Sequence, residues 1–217
     1  MLVLFDIDGT MLSSEGVGVR SIEQAGEAMF DKPFSLSGIP IGGRLDPLIW
    51  KEACARHGIE DQESHHDAFR SCYTEILRVN LENTTVHLMP GVLELLSELV
   101  EGGHTLGLVT GTYEETGLMK LEAAGIDTTL FVANAWGTDG LVRADLPPYA
   151  ISQHWKDEPV VLIGDTVCDV TSGHGAGCRV IAVCTGSHDR VTLEKAKPDL
   201  LVEDLSDTKA ILKWMKL

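Results

Sequence analysis

Two aspartates two positions apart, Asp6 and Asp8, close the apolar opening run Met1-Leu2-Val3-Leu4-Phe5 and are followed by Gly9-Thr10. Far along the chain, Val160-Val161-Leu162-Ile163 ends in Gly164-Asp165, with Asp169 four residues on. Acids at the ends of apolar strands pack poorly. Carboxylates gathered from two remote stretches are what a hard cation needs, because magnesium takes oxygen ligands, one or two carboxylates among them, and fills its other positions with water and phosphate. Each pair also has a plainer reading. Asp6 and Asp8 could cap a turn, and Asp165 with Asp169 could be an N-cap and a first-turn acid on a helix. The presence of both pairs in one chain favours chemistry.

The surrounding elements must bring these pairs together. Apolar runs recur at His104–Val109, Leu130–Ala133, Val160–Ile163, Arg179–Cys184 and Leu200–Val202, short and β-branched as strands buried on both faces are. Between them lie stripes at helical spacing: Val92, Leu95, Leu96, Leu99 and Val100, then Leu118, Leu121 and Ala124, and a last helix over about Asp204–Lys216. This alternation predicts an α/β fold with an open, mostly parallel Rossmann-like sheet, and ligands bind such sheets outside the carboxyl ends of the strands. The stretch between the first strand and the second reads as helix after helix, Val19–Met29, Asp46–His57 and Asp61–Val79. It is expected to be an inserted all-helical unit over residues 16–86, with the core in 1–15 and 87–217. Gly16-Val17-Gly18 and the stretch before Met89-Pro90-Gly91 are its expected hinges.

Phe5-Asp6-Ile7-Asp8-Gly9-Thr10, together with Gly164-Asp165-Thr166-Val167-Cys168-Asp169, resembles the first and fourth motifs of the haloacid dehalogenase superfamily, in its phosphoglycolate phosphatase-like branch with a helical cap. The resemblance implies that Asp6 is a nucleophile forming an aspartyl-phosphate, and that Asp8 protonates the leaving oxygen and then activates water. It implies a magnesium ion held by Asp6, the Asp8 backbone carbonyl and Asp165, with Asp169 close by as a ligand or behind one. Gly9 and Thr10 would meet the phosphoryl group. Thr110 matches the hydroxyl that follows the family's second strand, but the residue after it is often Asn and here is Gly111, whose amide could still donate. The family's charge-offsetting Lys has no counterpart between Lys120 and Lys156, and the matching position is Arg143. Arginine carries the same charge in a bidentate fork and cannot deprotonate. Arg143 could also be a solvated surface residue, and Lys156 lies too far along the following helix to be preferred.

Within the helical stretch, Ile41-Gly42-Gly43-Arg44-Leu45-Asp46 forms a turn before a helix. Arg44 could reach a distal group of a substrate, or simply be an exposed Arg in a tight turn. His65-His66 and Glu63 read as a solvated face, Cys168 as an inert thiol among acids, and His174 as structural.

Composition narrows the partners. The chain has 217 residues, 44% hydrophobic and 23% charged, with a net charge of -16. Such an acidic balance excludes a nucleic-acid polymer, which demands a Lys/Arg excess, and repels anionic membranes. Five cysteines (Cys54, Cys72, Cys168, Cys178, Cys184) without a C-x-x-C pair suit a reducing cytoplasm. The eight histidines show no zinc spacing. No basic-then-apolar leader precedes Asp6, and no apolar run approaches the ~20 residues of a spanning helix. The expected activity is magnesium-dependent hydrolysis of a small phosphorylated metabolite. The alternatives are a phosphomutase of the same superfamily or a regulatory protein of low turnover. A phosphonatase would need a cap Lys in a site, which neither Lys32 nor Lys51 offers, and a dehalogenase would have no use for Asp8.

Overall fold

The computed structural model describes residues 1–60, 62–154 and 158–216. Asp61 and Lys156, named above as a helix start and a rejected cation, lie outside them. In chain order the elements are β1 (Leu2–Phe5), β2 (Leu12–Ser13), α1 (Val17–Phe30), α2 (Asp46–Arg56), α3 (Gln62–Glu82) and β3 (His87–Leu88). There follow α4 (Val92–Glu101), β4 (Thr105–Val109), α5 (Glu114–Ala123), β5 (Phe131–Ala135), α6 (Leu146–Ser152) and β6 (Val160–Gly164). The chain ends with α7 (Val167–Gly175), β7 (Arg179–Val183), α8 (Arg190–Ala196), β8 (Leu200–Val202) and α9 (Thr208–Met215).

Six strands form one parallel sheet in the order β5-β4-β1-β6-β7-β8. β1 is central: Leu2 pairs with Thr105 on one side and Val160 on the other, and Phe5 with Leu108 and Ile163. The chain therefore winds outward from β1 in two directions, and the crevice above its carboxyl end is the topological switch point where ligands bind. Side chains alternate across the sheet. Val3 and Phe5 pack with Leu95, Leu99, Ile211 and Met215 on one face. Leu2 and Leu4 pack with Leu146, Ala150, Val170 and Leu193 on the other. Burial of both faces explains the continuous apolar character of β1, β6 and β7.

The helices α1, α2 and α3 build a third hydrophobic cluster of their own. Its centre is a run of rings in which Trp50 stacks on Phe69 with centroids 3.9 Å apart, and Phe34 and Tyr73 flank them. Tyr113, at the N-terminus of α5, belongs to this cluster rather than to the sheet. β2 and β3, on either side of the helical insert, pair with each other antiparallel through Leu12 with Leu88 and Ser13 with His87.

Several expectations change in detail. The last helix begins at Thr208, not Asp204, because Asp204 accepts from Ser206 N in a turn and Asp207 is the N-cap, accepting from Ala210 N. Of the first hinge, only Gly16 lies outside a helix; Val17 and Gly18 are the first residues of α1. His65 and His66 are half-buried rather than solvated: His65 sits edge-on to Phe30, and His66 Nε2 lies 2.8 Å from Tyr113 Oη. Glu63 is exposed as expected. Cys178 and Cys184 bracket β7, and His174 pairs with Asp199 on the surface.

Candidate active site

Asp6 follows β1 and Asp165 follows β6, neighbouring parallel strands, so their carboxylates emerge side by side at the same edge of the sheet. Asp169 lies one turn into α7 and points back toward them. One oxygen from each of the three, all buried, lies within 4.8 Å of the others. The plainer reading of the second pair is also partly realised. Thr166 caps α7, and Asp169 closes the capping box by accepting from Thr166 N (3.0 Å) and Oγ1 (2.6 Å) through Oδ2. The other oxygen, Oδ1, is left for the cluster. Capping and clustering use different atoms of one side chain.

Arg143 is buried, not solvated, in a short 3-10 turn of residues Arg143–Asp145. Its Nη2 donates to Asp6 Oδ1 (2.9 Å), Asp169 Oδ1 (2.5 Å) and the Val109 carbonyl (2.9 Å). Its Nε is buried with no partner among the described residues. Burial pushes the Asp6 carboxyl up to about 8, and Asp169 and Asp165 add to the rise against the opposing pull of Arg143. Asp165 is pushed up to about 7 by burial and by Asp169, although Ser187 N donates to it at 2.6 Å and Thr10 Oγ1 at 3.3 Å. For Arg143 burial works against the charge, but Asp169 and Asp6 outweigh it and hold the guanidinium protonated. One cation thus faces three crowded carboxylates. A donor set made only of oxygens and short of positive charge fits a hard divalent cation.

Asp8 turns elsewhere. Its Oδ2 accepts from Lys120 Nζ at 2.6 Å, and the Lys side chain is almost wholly buried. Burial opposes the Lys120 charge, but Asp8 and Asp46 outweigh it and raise its pKa. Sequence reasoning missed this lysine because it took Leu118, Leu121 and Ala124 for the inner stripe of α5. The buried face is Thr116, Gly117, Lys120 and Leu121, and small residues one turn before a lysine were the available signal.

Thr110 and Gly111 follow β4. Thr110 is buried with its Oγ1 3.4 Å from Thr112 Oγ1. Gly111 shows why an Asn is absent there: a Cβ would fall on the Arg44 carbonyl of the helical insert, and the Gly111 carbonyl accepts from Asp46 N at 2.7 Å. Gly9 has φ +85°, and its missing Cβ would lie 2.7 Å from Asp165 Oδ2, so the backbone itself closes over the acid cluster. Thr10, expected against substrate, is fully buried with its hydroxyl on Asp165. Arg44 Nη1 donates to Glu52 (2.6 Å) and to the Pro40 carbonyl within the insert.

These groups surround a cleft of about 430 Å³ between sheet edge and insert, lined by Asp6, Asp8, Thr110, Lys120 and Arg143 from the core and by Arg44, Asp46 and Ile49 from the insert. Asp46, the first residue of α2, was read only as a helix start. It is buried, its Oδ2 accepts from Tyr113 N at 3.3 Å, and burial pushes it up to about 7 against the pull of Lys120.

A family model described as haloacid dehalogenase-like hydrolase matches residues 3–183. The chain belongs to that family. Among its relatives, a phosphoglycolate phosphatase of Pasteurella multocida is 28% identical with 97% of each chain covered. A pyrophosphatase, PpaX, of Listeria monocytogenes is 24% identical over 97% of this chain and 95% of its own. Among solved structures of the family, a predicted phosphoglycolate phosphatase from Haemophilus somnus superposes with a TM-score of 0.73 at 25% identity, covering 97% of both chains. Among the described residues no helix is long and apolar enough to cross a membrane.

Proposed function

We propose that this chain is a magnesium-dependent phosphatase of small phosphate monoesters, acting in the cytoplasm through an aspartyl-phosphate on Asp6. The observation that carries the reading is the convergence of Asp165 and Asp169, buried just behind the cleft wall, with Asp6 and Arg143, which line it. Residues 16–86 serve as a cap over a core of 1–15 and 87–217, keeping bulk water from the reacting centre.

Asp6, Asp165 and Asp169, with the Asp8 backbone carbonyl, would hold the magnesium ion, which supplies the charge that lets an anionic carboxylate approach a phosphate dianion. Asp6 then attacks phosphorus and the ester P–O bond breaks; Asp8, a carboxylate paired with Lys120 at rest, takes up a proton as the substrate dianion binds and passes it to the departing oxygen. Asp8, now a carboxylate, removes a proton from the water that hydrolyses the acyl phosphate, returning Asp6 and releasing inorganic phosphate. Lys120 fixes the orientation of Asp8 through its 2.6 Å ion pair. Arg143 offsets the charge of Asp6, and its unpartnered Nε is a donor that a phosphoryl oxygen would satisfy. Thr110 and the Gly111 amide line the same cleft and are assigned to the phosphoryl group.

The test is phosphate release from para-nitrophenyl phosphate with magnesium and with a chelator. The parent should turn over only with metal, and Asp6→Asn should be inactive while melting normally. Turnover retained in Asp6→Asn would remove the nucleophile from the scheme.

A further inference from the structure

The part of the cleft facing away from Asp6 is where the group esterified to the phosphate would lie. Its wall on the insert side is aliphatic, made by Val19, Ile22, Leu36, Ile41 and Ile49. Among the described residues three cations line the cleft, and each already has an anionic partner: Arg143 holds Asp6 and Asp169, Lys120 holds Asp8, and Arg44 holds Glu52. Lys120 sets one positive charge against the two carboxylates of Asp8 and Asp46, so the excess on this side is negative. Asp46 presents a carboxylate whose Oδ2 accepts one backbone hydrogen bond, from Tyr113 N, and whose Oδ1 receives none from the described residues. Lys120 is near enough to lower the Asp46 pKa, but the hydrogen bond from its Nζ goes to Asp8.

We propose, building on the phosphatase reading above, that the alcohol released from the ester is uncharged and hydroxylated, a sugar or polyol, and that Asp46 selects it by accepting a hydroxyl hydrogen bond. A buried carboxylate gains a strong, charge-assisted bond from an O–H donor. The hydrocarbon face of a sugar or polyol suits the aliphatic wall, as in pockets that combine apolar lining with a few placed polar groups. Above about pH 7, where Asp46 is ionised, a leaving group carrying its own carboxylate or phosphate would instead meet that charge in a poorly solvated cleft with no unpaired cation among the described residues, and would be repelled. The relatives named above as phosphoglycolate phosphatase and pyrophosphatase carry substrate names of that anionic kind. This chain therefore departs from them in what it accepts.

The experiment measures kcat/KM with magnesium for para-nitrophenyl phosphate, glycerol 3-phosphate, a hexose 6-phosphate, 2-phosphoglycolate and pyrophosphate, in the parent and in Asp46→Asn and Asp46→Ala. In the parent the better of the two hydroxylated esters should exceed both anionic substrates by at least about tenfold, a modest part of the roughly 10⁴-fold or more by which a site built to hydrogen-bond a hydroxyl can reject an analogue lacking it. Asp46→Asn should narrow that ratio from both sides, lowering turnover of the hydroxylated ester and raising that of 2-phosphoglycolate. A role in folding alone would not produce that gain. A parent that prefers 2-phosphoglycolate or pyrophosphate overturns the proposal, as do variants that scale every substrate alike. The parent panel decides the charge preference even if a variant fails to fold. Should para-nitrophenyl phosphate also go unhydrolysed, it is the phosphatase reading that has failed.

Discussion

Arg143 lies between two buried acids, and the consequences of removing it follow from charge. Arg143→Met leaves Asp6 and Asp169 without their shared donor, and breaking a buried pair in this way costs about 3–5 kcal/mol. Urea denaturation of the metal-free protein should show that loss. Arg143→Lys should lose less, because it keeps the charge while giving up the fork. Lys120 acts on rate instead. Lys120→Met frees the Asp8 carboxylate, and misplacing a reacting group by about an ångström costs about 100-fold, so kcat for para-nitrophenyl phosphate should fall by about that factor. A variant of unchanged kcat would show that Asp8 needs no such support. The two cations differ in how far the sequence revealed them. Arg143 was legible because it stands where the family motif expects positive charge. Lys120 was not, because a lysine on a short helix ordinarily faces water, and only the carboxylates of Asp8 and Asp46 make burial of this one tolerable.

At the scale of elements, polar contacts join the helical insert to the core at two places among the described residues. One is the turn before α2, where the Gly111 carbonyl accepts from Asp46 N and Asp46 Oδ2 accepts from Tyr113 N, and the other joins α3 to α5, where Arg70 pairs with Glu115 and His66 with Tyr113. Gly111→Ala drives a methyl group into the Arg44 carbonyl, so the turn before α2 must lift away from β4. We expect at least a roughly tenfold loss of kcat/KM, since closure assembles the site. Equal activity in Gly111→Ala would mean the contact is incidental to turnover. His66 gives the second contact a pH dependence. Burial lowers its pKa, Arg70 adds to the fall and Asp67 opposes it. The unfolded chain therefore binds the proton first as the solution is acidified. The stability owed to neutral His66 is complete above the ordinary imidazole range of about 6.5 and drains away below it. Between about pH 7.5 and 5.5 the parent should lose more melting temperature than His66→Gln. The strands were legible because burial on both faces leaves unbroken apolar runs. Helix ends and the half-buried α3–α5 contact were not, because they depend on which Asp caps and which neighbour arrives from another element.

Over the whole molecule, a net charge of -16 gathers around a centre that also holds three buried carboxylates. A divalent cation held by Asp6, Asp165 and Asp169, as proposed, would link β1 to β6 and α7, so magnesium at about 100 times its Kd should add about 2.7 kcal/mol. For a chain of this length that is a rise of roughly 5–10 °C in melting temperature. Sodium chloride of equal ionic strength should not reproduce the rise, and Asp165→Asn should abolish it. The fold class and the acid cluster could be read from two motifs because distant strand ends converge wherever a parallel sheet reverses its winding. The identity of the leaving group could not, because it depends on how the turn before α2 seats against β4. The small antiparallel pair of β2 and β3 carries a separate consequence. The chain departs for the helices and returns from them along adjacent, hydrogen-bonded threads, so the opening left by the whole excursion is only one strand spacing wide. A different segment spliced between Ser14 and Val86 need span only that gap to leave the registers of the six-stranded sheet in place, provided that it again covers Tyr113 and Lys120, so the scaffold can exchange one selector for another.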